Sequence, residues 1–124
     1  MTGFIVVDNN EIDLFVHEKV INYCGINKVT TFKNLADALD FLKENETVTN
    51  NIVMLVDLKI FFNHGKLVSE TMERIKEIRK GIKIYFLSVM IQPTNSFLLS
   101  IDNSIKGFIQ KPLTVEKVKM IMEY

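Results

Sequence analysis

Four polar residues stand at or just beyond the ends of short apolar runs, and their types make a chemically coherent set. Asp8 follows Phe4-Ile5-Val6-Val7, Asp57 follows Ile52-Val53-Met54-Leu55-Val56, Ser88 follows Ile82-Lys83-Ile84-Tyr85-Phe86-Leu87, and Gln110-Lys111-Pro112 follows Gly107-Phe108-Ile109. In an open α/β sheet, ligands bind beyond the carboxyl ends of the strands, near the point where strand order reverses. If these four strands are neighbours, two carboxylates, a hydroxyl and an ammonium converge on one rim. Such a set offers hard oxygen ligands for Mg²⁺, a carboxylate nucleophile, and two groups able to hold an anion. Each residue also has a plainer reading. Asp8 and Asp57 could be turn formers or helix caps, Ser88 a turn hydroxyl, and Lys111-Pro112 a simple strand exit.

The elements that must position this rim are legible as alternating periods. Five β-branched runs, the four above and Lys28-Val29-Thr30-Thr31-Phe32, are each followed by a segment of helical spacing. The first and third are continuously apolar, as central strands of a parallel sheet are; the second alternates, which suits an edge. The first helix is expected to bury Ile12, Phe15, Val16, Val20, Tyr23 and Cys24 and to stop at Gly25. A second carries Leu35, Ala38, Leu39 and Leu42 behind an Asn34 cap. The third carries Leu67, Val68, Met72, Ile75 and Ile78 and closes at Gly81; a fourth, weaker one follows Pro93 through Phe97, Leu98 and Ile101. The last carries Val115, Val118, Ile121 and Met122 behind a Thr114 cap. Strict β-α alternation implies a parallel sheet covered on both faces, because parallel strands need long right-handed crossovers.

Composition narrows the function classes. The 124 residues are 48% hydrophobic and 24% charged, with fifteen basic and fifteen acidic side chains. That is one globular domain, expected over 1–124, without a global field for nucleic acid or an anionic membrane. The single Cys24 excludes an internal disulfide and a CxxC metal or redox pair. No apolar run approaches the ~20 residues of a membrane span, and the acidic start is unlike a secretory signal. A cytoplasmic location is the expectation. His17 is expected on the solvated side of its helix, His64 in a loop without a metal role, and Cys24 as a buried inert thiol. Glu11 reads as first-turn helix-dipole chemistry.

With these pieces in place, the chain resembles a receiver domain of a two-component response regulator over essentially its whole length. The resemblance is carried by IVVDNNE, IVMLVDLK, Gly65 eight residues after Asp57, YFLSV, and KGFIQKPL. Ser88 follows Asp57 by 31 positions and Lys111 follows Phe108 by three. The resemblance implies a (βα)5 flavodoxin-like three-layer sandwich with strand order 2-1-3-4-5. It implies phosphorylation on Asp57 in a Mg²⁺-dependent reaction, with Asp8, Asp57, the Lys59 backbone carbonyl and, through water, Asn9 as metal ligands. Ser88 and Lys111 would hold the phosphoryl oxygens, and Phe108 would be the aromatic that changes rotamer on activation. The partners implied are a sensor histidine kinase or histidine phosphotransfer protein, and a downstream protein. The downstream protein would dock on the face of the fourth helix, fifth strand and fifth helix.

The chain departs from the family pattern in four places. Asn9 stands where a second acidic residue is usual; an amide still bonds a metal-bound water, so metal binding should weaken but survive. Ile60-Phe61 replace a common Met-Pro, Val89 replaces a small residue, and Lys59 and Met90 are long, a pair of features expected to shield an aspartyl phosphate. These departures keep open a degenerate receiver that docks without phosphorylation. An enzyme on the same fold fits poorly. A flavodoxin needs a hydroxyl- and glycine-rich cradle where Asp8-Asn9-Asn10-Glu11 stands, and a haloacid-dehalogenase-type phosphatase needs an Asp at position 59, which is Lys.

Overall fold

The computed structural model describes residues 2–45, 51–62, 68–90 and 102–123. Five strands form one all-parallel sheet in the order β2-β1-β3-β4-β5. They are β1 Thr2–Val7, β2 Val29–Phe32, β3 Asn51–Asp57, β4 Lys83–Ser88 and β5 Ile105–Gln110. The helices are α1 Glu11–Tyr23, α2 Leu35–Glu44, α3 Leu58–Phe62, α4 Val68–Ile78 and α5 Val115–Glu123. The flavodoxin-like architecture and the strand order are as expected. The fourth predicted helix, with Pro93, Phe97, Leu98 and Ile101, lies outside the described residues, as do His64, Gly65 and Leu67.

Alternation along the central strands builds two cores. Ile5 and Val7 of β1 and Ile52, Met54 and Val56 of β3 face α2, α3 and α4, packing with Leu39, Phe61, Met72 and Ile75. Phe4 and Val6, with Val53 and Leu55, face α1 and α5 and pack with Leu14, Ile21, Val118 and Ile121. Both faces of β1 and β3 are therefore dry, which is why those strands read as continuous apolar runs. β2, with half-buried residues throughout, is an edge.

Local signals place the helix ends. Asn34 Oδ1 accepts from the Asp37 amide at 2.8 Å and Thr114 Oγ1 from the Lys117 amide at 3.3 Å, so both expected caps are present. Gly25 and Gly81 have φ of 86° and 88°, the left-handed conformation in which a side chain would be strained, and they end α1 and the α4 turn.

Four expectations change. Helix α1 buries Leu14, His17 and Ile21, whereas Ile12, Phe15, Val16 and Tyr23 are exposed, Tyr23 at 81%. This helix is apolar on two stripes, and spacing alone does not say which one meets the sheet. His17, expected at the surface, is 2% exposed for the same reason. Met122 is exposed because α5 turns only Val118 and Ile121 fully inward. β5 starts two residues earlier than its apolar run, because Ile105 pairs with Ile84 before a register shift.

Candidate functional site

Register puts the site together. Val7 pairs with Val56 across β1 and β3, so Asp8 and Asp57 leave the sheet side by side. Leu87 pairs with Ile109, and the Lys111 amide donates to the Ser88 carbonyl at 2.8 Å, tying the exit of β5 to the end of β4. The Lys111 side chain then reaches back across the rim. Its Nζ lies 2.7 Å from Asp8 Oδ2, 2.8 Å from Asp57 Oδ2 and 3.2 Å from Asp13 Oδ2. Three of the predicted site residues thus meet at one point, with one ammonium among three carboxylates. The Lys111–Pro112 peptide that follows is cis.

Each carboxylate is also held from behind. Asp57 Oδ1 accepts from the amides of Lys59 at 2.8 Å and Ile60 at 3.3 Å, so the residue caps α3 with one oxygen and faces Lys111 with the other. The plain cap reading is realised, and the same side chain keeps its second oxygen on the strand-end rim. Asp8 is 1% exposed; its Oδ1 accepts from the Asn10 amide at 3.0 Å, and its Oδ2 faces His17 Nε2 at 3.4 Å. Burial opposes ionisation of Asp8, but hydrogen bonds from His17, Lys111 and the Asn10 amide outweigh it and bring the carboxyl down to about 2. Burial likewise opposes the charge on Lys111. Its hydrogen bonds to Asp57 and Asp8, and their charges, win and raise its pKa above the ordinary lysine value.

Other predicted site residues stand apart from this cluster. Ser88 Oγ donates to the Met90 carbonyl at 2.7 Å and accepts from the Met90 amide at 3.3 Å, a local turn at the end of β4. Asn9 and Lys59 are exposed. Phe108 is half-buried on β5 and stacks on Phe86, ring centres 5.6 Å apart at 30°. Val89 and Met90 are 69% and 64% exposed, so the expected shield stands out into solvent. Glu11 pairs with Lys33 across the surface, and Cys24 is half-buried near the Val115 carbonyl.

Two residues at the site are not among those the sequence singles out for it. Asp13 lies in the first turn of α1, where Asn10 Oδ1 accepts its amide at 3.0 Å. The Asn10 amide is taken by Asp8 Oδ1, so the Asp13 carboxylate does not fold back onto the cap and instead accepts from Lys111. His17 shares the i, i+3, i+7 spacing of Leu14 and Ile21, the signal that it faces inward.

The donor set suits a hard cation. Among the described residues no three His, Cys, Asp or Glu side chains are arranged to hold a metal ion by themselves. Asp8 and Asp57 supply two carboxylates already gathered around a positive charge, and Mg²⁺ is commonly bound by one or two carboxylates with waters retained.

Comparison of the whole backbone with solved structures decides the architecture. A response regulator receiver protein from Dyadobacter fermentans matches with a TM-score of 0.76 at 23% identity, covering 99% of this chain and 96% of its own. The chain has the receiver fold. A response regulator from Thermotoga maritima shares that fold over 100% of both chains, with a TM-score of 0.72 and 23% identity. So does a response regulator protein from Burkholderia pseudomallei, determined with a phosphorylated aspartic acid, a calcium ion and citrate. It matches with a TM-score of 0.71 at 16% identity, over 96% of this chain and 65% of that one. No protein-family model matches the sequence, and no curated protein sequence does. At these identities the likeness is one of fold; in this chain the rim of Asp8, Asp57 and Lys111 lies at the carboxyl ends of β1, β3 and β5. Among the described residues no helix is long and apolar enough to cross a membrane.

Proposed function

We propose that this receiver-fold chain is a phosphoacceptor signalling module of a two-component system, phosphorylated on Asp57 in a Mg²⁺-dependent reaction. The observation that carries the reading is Lys111 Nζ bridging Asp8 Oδ2 and Asp57 Oδ2 at 2.7 and 2.8 Å on the strand-end rim. Asp57 supplies the nucleophile. One carboxylate oxygen attacks the phosphorus of a phosphohistidine or a small acyl phosphate. A new P–O bond forms as the donor's P–N or P–O bond breaks, and the leaving group keeps the electron pair. Phosphoryl transfer demands positioning and charge neutralisation more than covalent machinery. Asp57 is positioned by the Lys59 and Ile60 amides on its other oxygen, and Lys111 can follow the negative charge onto the phosphoryl oxygens. Asp8, Asp57, the Lys59 carbonyl and a water on Asn9 would hold Mg²⁺, which when bound neutralises the phosphoryl oxygens. Ser88, at the end of the neighbouring strand, is the hydroxyl placed to exchange its turn for a phosphoryl oxygen.

Signalling would proceed by docking, not by an enzymatic output on a separate substrate. The donor would be a sensor histidine kinase or a histidine phosphotransfer protein. The exposed stripe of Ile12, Phe15, Val16 and Tyr23 on α1, which begins beside the rim, is an apolar surface for it. A downstream protein would use β5, α5 and the helix expected after Pro93, where half-buried Phe108 and exposed Met120 line a cleft. The test is incubation with a small phosphodonor and Mg²⁺, followed by intact-mass measurement. One added phosphoryl group, absent in Asp57→Asn, supports the reading. No gain in the native chain would favour the degenerate receiver, a reading toward which exposed Asn9 points.

A further inference from the structure

We propose that His17 is a positioning residue for Asp8, its Nε2–H holding Oδ2 from the protein side. The inference rests on reading Asp8 as a Mg²⁺ ligand. His17 Nε2 lies 3.4 Å from Asp8 Oδ2, and the two side chains are 2% and 1% exposed. Asp8 offers only acceptors when ionised, and His17 Nδ1 has no partner among the described residues. The nitrogen that faces Asp8 therefore carries a proton, and Nε2 is the donor. An orphaned buried ring nitrogen is a cost that an aliphatic side chain between Leu14 and Ile21 would not carry. What the imidazole adds at this position is a donor aimed at Asp8.

The three donors on Asp8 differ in what they do when a cation arrives. The Asn10 amide holds Oδ1 at 3.0 Å and is fixed by the backbone. Lys111 holds Oδ2 at 2.7 Å, but it is a charge on a flexible stem, already shared with Asp57 and Asp13. A divalent cation at the same carboxylates repels it. His17 is a short, rigid ring enclosed under α1 at 2% exposure, so it is not free to leave. When the ammonium withdraws, His17 and Asn10 together grip both oxygens from behind and leave their outward lone pairs for the ion. With an amide at position 9 one fewer carboxylate is available, so the orientation of Asp8 carries more of the binding.

Calorimetric titration of the full chain with Mg²⁺, paired with metal-free melting curves, tests this. His17→Leu keeps the volume and removes the donor; its dissociation constant should rise about tenfold or more, the usual effect of deleting an orienting partner. Its metal-free melting temperature should hold or rise. His17→Gln retains an N–H and should stay close to the native affinity. His17→Met serves as a second donor-free variant if Leu does not fold. Native affinity in a donor-free variant overturns the proposal, as does Gln binding as weakly as Leu. If the native chain itself binds no Mg²⁺, the reading of Asp8 as a ligand fails first and the proposal with it, an outcome distinct from equal affinities.

Discussion

Replacing Lys111 by Met removes the one positive charge that three carboxylates share, and its cost can be worked from the geometry. The ammonium lies 2.7, 2.8 and 3.2 Å from Asp8, Asp57 and Asp13, with its own side chain 11% exposed. At an effective dielectric of ~20 each contact is worth about 5–6 kcal/mol gross. Desolvation of the ammonium and of Asp8 offsets much of that, so the gross figure is not the stability lost. Deleting one partner of a buried pair costs about 3–5 kcal/mol, because the remaining charge stays buried and uncompensated. Asp8 is fully enclosed, but the Asp57 and Asp13 side chains retain 12% and 39% exposure and recover some hydration. The lower end, about 3 kcal/mol, is therefore expected. With an unfolding entropy near 0.26 kcal/mol/K for a chain of this size, that lowers the melting temperature by about 12 °C. The assay is thermal unfolding at neutral pH in EDTA, repeated in saturating Mg²⁺. In Mg²⁺ the gap should narrow, since a bound cation takes over the neutralising role. A Lys111→Met chain melting within about 2 °C of the native one in EDTA would refute the reasoning, because a drop that small is under 1 kcal/mol.

Three more outcomes follow from the same structure. Asp8 has its carboxyl lowered from 3.8 to about 2. Its contribution of about 2–2.5 kcal/mol is thus present above pH ~4 and lost as pH falls through ~2. Acid titration of metal-free stability should show that loss, and Asp8→Asn should remove it. Asn9→Asp should tighten Mg²⁺ binding by about 1–2 kcal/mol, five- to thirty-fold, as read by calorimetry. Equal dissociation constants would place residue 9 outside the metal's reach. On α1, Leu14→Ala should cost about 2–5 kcal/mol in denaturant unfolding, while Tyr23→Ser should stay within about 0.5 kcal/mol; the reverse order would restore the stripe that spacing alone favoured.

The strand-end rim and the layer order were legible in the sequence because both follow from short-range rules. Continuous apolar runs mark strands dry on both faces, and β-α alternation leaves little choice but a parallel sheet. Asp8, Asp57 and Lys111 could be placed on one rim from their positions after those runs. Asn34, Thr114 and Gly25 were equally readable, since caps and left-handed turns depend on a few neighbouring atoms. Tertiary structure decided what local pattern leaves degenerate. Helix α1 carries two apolar stripes, and only docking against Phe4 and Val6 selected Leu14, His17 and Ile21 for the interior. That choice put an imidazole against Asp8 and turned four large apolar residues out to solvent. Asp13 joined Lys111 from 98 residues away, a contact that exists only once α1 and the exit of β5 share a rim. Charge pairs of that kind have no period and no propensity; the fold creates them when it brings distant groups within a few ångströms.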